Sequence, residues 1–392
     1  MLVRTRQSYK YLFTEEGRNL PFKRLKPPPA QFRRARSNKL IFLLLIKNSF
    51  QVKKILIALA AASALVISSC STDLDVTGDW KETMVVYGLL DQGKDTQYIK
   101  VNKAFLGQGN ALEYAQVKDS VQFVNTLAVT VTKATGSVTY DLLPINKPKE
   151  DGVFYSADQA NALYYFVTPP GTLSANSRYD LKIRNEDTGN EVTSSTLLVN
   201  DFSFTKPTST SPNFYFVNSL NDNWPFFVEW KSSQNGRIYQ LVIRFNYTEY
   251  SATDTVNKYI DWFFPAQKAP NSGGNHTMTV SFPGVDLLKY LGTRIPVDNA
   301  VTRQAGLVEL RVTGGSDDLN TFIEVNKPSS GLVQQKPEFT NISNGLGLFS
   351  SRYTKAPFAR PLEAVTLDSL AGGRYTCKLR FTDAAGVLSG CL

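Results

Sequence analysis

Leu127-Ala128-Val129-Thr130-Val131-Thr132 sets Leu, Val and Val on one side of an extended chain and Ala, Thr and Thr on the other. Side chains of a strand alternate between faces, so a two-residue period demands a sheet with one buried face. The same alternation returns in Arg178-Tyr179-Asp180-Leu181-Lys182-Ile183. Asp91-Gln92-Gly93, Thr135-Gly136, Asn146-Lys147-Pro148, Pro169-Pro170-Gly171 and Thr188-Gly189-Asn190 supply turn chemistry between such runs. Strands are therefore expected over 83–90, 96–106, 126–133, 137–143, 163–168, 178–184 and 191–199. Their spacing predicts an immunoglobulin-like β-sandwich over residues 80–203. Tyr179 stands where such domains pin a corner by bonding a tyrosine hydroxyl to backbone; the other reading is a plain strand aromatic. The stretch 107–119, with Ala111-Leu112-Glu113-Tyr114-Ala115, interrupts the pattern as one or two helical turns on a long loop.

Residues 204–212, rich in Thr, Ser and Pro, read as a linker, and 213–392 as a second β-rich domain. There Phe226-Phe227-Val228-Glu229-Trp230 ends in a core tryptophan, Ser233-Gln234-Asn235-Gly236 turns the chain, and 239–247 returns as a hairpin partner. Lys258-Tyr259-Ile260-Asp261-Trp262-Phe263-Phe264-Pro265 carries aromatics that a strand must point both ways. Ile260, Trp262 and Phe264 make the better core face. That leaves Tyr259 and Phe263 as an exposed candidate binding patch, near the Gly-rich loop 272–276. Leu307-Val308-Glu309-Leu310-Arg311-Val312 predicts a strand between two short helices. One spans 285–291 and stops at Gly292; the other spans 316–325, with Ser316 as cap and Asp317-Asp318 at the positive end of its dipole. The fold class expected is mainly β, with one or two small helices in the second domain.

Upstream of all this lies a second constraint. Lys53-Lys54 precede an apolar run, 55–67, which ends in Ser68-Ser69-Cys70. The run is shorter than the about 20 residues a membrane-spanning helix needs. A basic pair, a short apolar stretch and a small-residue cleavage site make a signal peptide over 52–69. The cysteine after Ile67-Ser68-Ser69 fits a lipobox, whose thiol takes a diacylglycerol, so Cys70 is the expected lipid attachment point. Residues 70–79 then form a polar tether carrying Asp73, Asp75 and Asp79. Residues 1–51 are either an upstream extension, with translation starting at Val52 read as an initiator codon, or a long n-region.

The leader also changes what the charge means. Residues 1–69 hold 14 of the 43 basic residues and 2 of the 34 acidic ones, leaving 29 basic and 32 acidic residues, a net −3. The basic balance of the whole chain belongs to the segment expected to be removed. A cationic groove for nucleic acid is not supported. Membrane attachment through the lipid is the expected partner interaction.

Catalytic and metal-binding constellations are thin. One histidine, His276 in Gly273-Gly274-Asn275-His276-Thr277, and two cysteines beyond the anchor cannot supply a four-ligand zinc centre. No G-x-S-x-G accompanies the histidine. The tether acids lack the Gly turn and closing Glu of an EF-hand. Asn341-Ile342-Ser343-Asn344-Gly345-Leu346-Gly347 lacks the Gly-Lys-Ser/Thr of a P-loop, so its glycines read as turn geometry before a strand. No cofactor, metal ligand or catalytic residue is assigned. Cys377 and Cys391 flank a 13-residue stretch with a turn at Ala385-Gly386. Strands 375–381 and 387–391 would form a hairpin there, permitting a disulfide worth roughly 2–3 kcal/mol in an oxidising compartment. Two free thiols are the alternative. Asp119-Ser120-Val121, Asp254-Thr255-Val256 and Asp368-Ser369-Leu370 match an O-glycosylation-like triplet.

Two further stretches carry a resemblance. Pro337-Glu338-Phe339-Thr340-Asn341-Ile342-Ser343-Asn344-Gly345-Leu346-Gly347-Leu348-Phe349-Ser350-Ser351-Arg352 resembles the closing motif of a family of Bacteroidetes-type lipoproteins with a domain of unknown function. Cys70-Ser71-Thr72-Asp73-Leu74-Asp75, followed by Val85-Val86-Tyr87-Gly88-Leu89-Leu90, is similar to its opening. Members are often encoded beside TonB-dependent receptors of the outer membrane. The resemblance implies export, an amino-terminal sandwich and work at the outer membrane beside such a receptor, and it transfers no catalytic residues. The expected function is that of a lipid-anchored binding or accessory protein in nutrient uptake, its ligand unnamed. The alternatives are a surface hydrolase acting on glycan or peptide, and a structural or adhesive module.

Overall fold

A computed structural model describes residues 83–104, 117, 121–123, 127–148, 160–169, 171–208, 210–218, 224–327 and 338–391. The signal peptide, Cys70, the tether acids and nearly all of the 107–119 loop lie outside the described residues.

The chain is mainly β, with several sheets. In the first half, β1 (Thr83–Leu90), β2 (Thr96–Ala104), β5 (Leu143–Pro148) and β6 (Ala160–Val167) belong to one sheet. A second sheet, ordered β4-β3-β7-β8, holds β3 (Leu127–Lys133), β4 (Val138–Asp141), β7 (Arg178–Asn185) and β8 (Glu191–Leu197). The expected alternation decides which sides meet. Met84, Val86, Ile99, Val101 and Phe166 share a core with Val129, Val131, Leu181, Ile183 and Val192. The run expected as one strand over 137–143 divides at buried Leu142, whose N–H bonds Val129, because there the chain leaves one sheet for the other. Asn146-Lys147-Pro148, expected as a break, ends the second of these strands. Tyr179 is fully buried and its hydroxyl accepts the Ser174 N–H at 2.8 Å, so of its two readings the one with a hydroxyl bonded to backbone fits.

The second half repeats the two-layer scheme with longer strands. β11 (Ile238–Tyr250), β12 (Thr255–Phe263), β15 (Thr302–Gly315) and β16 (Leu346–Arg360) run in the order β12-β11-β15-β16, with β13 (Gln267–Lys268) beside β11. Against them lies β14-β10-β9, made of β9 (Phe204–Lys206), β10 (Pro225–Lys231) and β14 (Thr277–Pro283). Trp230, fully buried, sits in this core with Leu241, Ile243, Leu310, Val280 and Phe282. Two expectations need correcting. The turn at 233–236 does not close a hairpin: β10 pairs β14 and β9, while β11 enters the large sheet. Phe204–Lys206, expected within a linker, is a strand paired at Glu229 and Trp230.

Helix α1 (Val285–Arg294) buries Leu287, Leu288 and Leu291, and runs past Gly292, where it was expected to stop. A side chain at Gly292 would strike the Tyr375 carbonyl at 2.4 Å, so the glycine serves close packing within the helix. Helix α2 (Asp317–Asn326) starts as expected, with the Ser316 side chain accepting the Leu319 N–H. A third helix, α3 (Ala364–Gly372), exceeds the one or two foreseen among the described residues.

Both halves meet in β16. Its first six residues pair in parallel with β1, from Val85 opposite Leu346 to Leu90 opposite Ser351, and its remainder pairs antiparallel with β15. Val85 to Leu90 and Leu346 to Ser351, parts of the two stretches on which the resemblance was read, are thus neighbouring strands. Glycines allow the approach. Gly347 has φ +112°, and a Cβ there would sit 2.0 Å from the Val86 carbonyl oxygen; one at Gly88 would meet the Phe349 ring at 3.1 Å. Phe349 itself is fully buried in the first-half core. Asn341 braces the strand by exchanging two hydrogen bonds with the Phe349 backbone, at 2.7 and 2.9 Å.

Candidate functional site

β12 lies at the end of the large sheet's strand order, with β11 as its neighbour. Its residues alternate as expected. Ile260 and Trp262 pack inward against the second core, Trp262 stacking on Tyr290 of α1 at 5.2 Å, and Phe264 is buried. Tyr259 and Phe263 point outward, 56% and 60% exposed. Among the described residues no loop covers either ring.

The outer face is built row by row from the register. Phe263 lies opposite Val242, Asp261 opposite Arg244, Tyr259 opposite Asn246 and Asn257 opposite Thr248. On the far side of β11, Arg311 and Glu309 of β15 continue the first two rows. Arg244 grips Asp261 with two hydrogen bonds of 2.7 and 2.8 Å, and its guanidinium lies 3.9 Å from the centre of the Tyr259 ring. The Asp261 hydrogen bond raises the arginine's already high pKa, so this cation stays charged. The ion pair stands between the two exposed rings. Tyr259 and Phe263 are four residues apart on one strand, roughly 13 Å at the rise of a β-strand, and form two separate aromatic points.

The Gly-rich loop 272–276, expected beside them, lies elsewhere. Asn235 N–H bonds the Ser272 carbonyl, Asn275 N–H bonds the Ser232 carbonyl, and the Gly274 backbone lies against Ser233 and Gln234. That is the Ile238 end of β11, whereas Tyr259 sits opposite Asn246, eight residues along. The His276 ring bonds the Asn271 side chain at 3.0 Å, and its backbone bonds Ser232, so it closes a turn. Among the described residues no group of three or more His, Cys, Asp or Glu side chains converges as a metal site would require.

Two shallow cavities of about 340 Å³ open on the surface. One lies along the Tyr259 row, beside Asn246, Thr248, Asn257 and Gly306. The other lies beside the Cys377–Cys391 bond, next to Val297, Arg380 and Leu388. The disulfide forms without the expected hairpin: Cys377–Leu379 is a single 3-10 turn, Phe381 bridges Arg303 instead, and a lone antiparallel bridge joins Thr382 to Leu388. Of the Asp-Ser/Thr triplets, Thr255 is exposed at the start of β12. Ser369 lies in α3, its hydroxyl bonding the Val365 carbonyl.

Arg244, Asn246, Thr248 and Asn257 escaped the sequence reading. The signal is present in Arg244-Phe245-Asn246-Tyr247-Thr248, which alternates polar with aromatic residues, but only the pairing with β12 shows that its polar half lies beside Tyr259. No protein-family model matches the chain, and no curated protein matches it either.

Proposed function

We propose that the chain is a lipid-anchored outer-membrane binding or accessory protein. In this reading Cys70 carries the lipid, and the folded part recognises a partner beside a TonB-dependent transporter in nutrient uptake. The observation that carries the recognition half is the placement of Tyr259 and Phe263. Both rings stand in solvent on the outer face of an end strand whose inner face is committed to the core. Exposed aromatics on a rigid sheet suit recognition, since they bring large contact area with few rotamers to freeze. Both cavities are open and shallow, as a docking face would have them, and the Asp261 carboxylate is engaged by Arg244. The resemblance of 337–352, 70–75 and 85–90 to the lipoprotein family supports the location and the neighbouring receptor. The pinned Tyr179 corner and the packing of two sheets support an immunoglobulin-like first half.

The test is capture of tagged mature protein from detergent-solubilised outer membranes, with mass spectrometry of what accompanies it. Wild type should bring down a transporter-sized barrel. Tyr259→Ala combined with Phe263→Ala should lose it while costing no more than about 1–2 kcal/mol of stability. Undiminished capture by the double variant, or a stability loss well beyond that range, defeats the patch.

A further inference from the structure

We propose that the cavity along the Tyr259 row is a subsite for an uncharged sugar ring, an inference that rests on the recognition reading of the same face and names its ligand class. The floor comes from an irregularity in the sheet. Pairing of β11 with β15 shifts register between Phe245 and Tyr247, so Asn246 faces Gly306 and Leu307 together. Gly306 has no side chain to fill the space; a Cβ there would already lie 3.0 Å from the Asn246 carbonyl. The result is a dish of about 340 Å³, at the small end of the roughly 300–1,000 Å³ of ligand pockets.

The wall is an aromatic ring fixed in place. Arg244 and Asp261 lie on one side of Tyr259 along the strands, and Asn257 and Thr248 lie on the other, with the dish. The guanidinium stacks on the ring from its own side, and Asp261 locks the guanidinium with two hydrogen bonds. The ring is thereby held before any ligand arrives, which lowers the entropic cost of using it. The C–H face of a pyranose packs on such a surface.

The polar groups select against charge. Thr248 donates to Asn257 Oδ1 at 2.9 Å, leaving the Asn257 amide NH2 for a ligand. Asn246 Nδ2 donates to the Leu307 carbonyl at 2.8 Å, leaving its amide oxygen as an acceptor. A donor and an acceptor side by side are what a sugar hydroxyl, itself both, is matched to. On the face around the dish Arg244 is held by Asp261 and Arg311 by Glu309 at 2.7 Å, and Lys258, which also lines the dish, is held by Glu249. An ionic ligand would have to compete with these existing pairs. A purely apolar ligand would find too little enclosure and two amides to desolvate.

Isothermal titration of the mature protein with maltohexaose, cellohexaose, xylohexaose and mannohexaose tests this, with oligogalacturonate and chitosan oligomers as anionic and cationic controls. At least one neutral oligosaccharide should bind and neither control should. Asn257→Ala and Tyr259→Ala should each weaken that binding tenfold or more, and Leu143→Ala, at an exposed site in the first half, should leave it unchanged. Asn257→Ala should still capture the membrane partner. If no neutral sugar binds, or only a charged oligomer does, or Asn257→Ala binds as wild type does, the sugar subsite is wrong. Such a failure with partner capture intact leaves the recognition reading standing, whereas loss of both removes the two together.

Discussion

Arg303 is 1% exposed, and nothing about an arginine in a strand announces such burial in the sequence. The fold makes it tolerable by surrounding the guanidinium with acceptors. Nε bonds Glu249 at 2.8 Å, Nη1 the Leu379 carbonyl at 2.6 Å, and Nη2 the Pro296 carbonyl at 3.0 Å. One side chain therefore ties the tail segment and the loop after α1 to the edge of the second core. Arg303→Met should cost about 3–5 kcal/mol in denaturant unfolding at neutral pH, because it leaves the buried Glu249 carboxylate with Lys258 alone and strands two carbonyls. The pH dependence supplies an independent check. Burial alone would raise the Glu249 pKa, but hydrogen bonds from Lys258 and Arg303 outweigh it and hold the carboxyl below its ordinary 4.5. A carboxyl depressed by folding contributes stability that is complete above pH 4.5 and is lost as pH falls through the folded value. Wild type should lose stability along that acid limb, and Arg303→Met should flatten it. An acid limb of unchanged steepness in the variant would count against the linkage.

At the scale of elements, the β1–β16 pairing depends on glycines more than on any large side chain. Gly347→Ala asks an L-residue to hold φ +112° and to place a methyl within 2.0 Å of the Val86 oxygen. Strain and overpacking together should cost about 3–5 kcal/mol, measured as a shift in the urea midpoint. A shift under 1 kcal/mol would mean that β16 slides and the pairing is soft. This seam also marks what could be read in advance. β1, β3 and β7 were legible to within a residue, because each alternates cleanly and has turn residues at both ends. β14 alternates just as cleanly, with Met278, Val280 and Phe282 inward, and its pattern was equally legible. α3 carries only weak amphipathicity and no capping side chain, so neither period nor cap announced it. Which sheet receives a strand is not a local property. The 233–236 turn has hairpin chemistry and is used to change layers. The site divides the same way: Tyr259 and Phe263 follow from alternation within one strand, but the amides and Arg244 matter only through a register that pairs distant residues.

For the whole molecule, the anchoring proposal makes a plain forecast. Cys70→Ala should lack lipid, and should leave the membrane fraction, keep its uncut leader, or both. Two or three acyl chains at about 0.8 kcal/mol per buried methylene make the attachment stable, so the loss should be visible in simple fractionation. Fractionation like wild type, with no lipid on the mature amino terminus, would falsify the anchor. The parallel pairing of β1 with β16 has a consequence in time as well as in space. Protein synthesis delivers β1 first and its neighbour about 260 residues later. Through that interval β1 has one backbone edge bare, and the first-half core lacks Phe349, the ring that completes it. Bare strand edges recruit whatever strand is near, so the growing chain passes through an interval in which it is prone to wrong partners. Contacts of such long sequence separation also make for slow folding. A chain cut short anywhere before Leu346 is therefore not a free-standing first half but an unfinished one, its earliest strand still waiting for its neighbour.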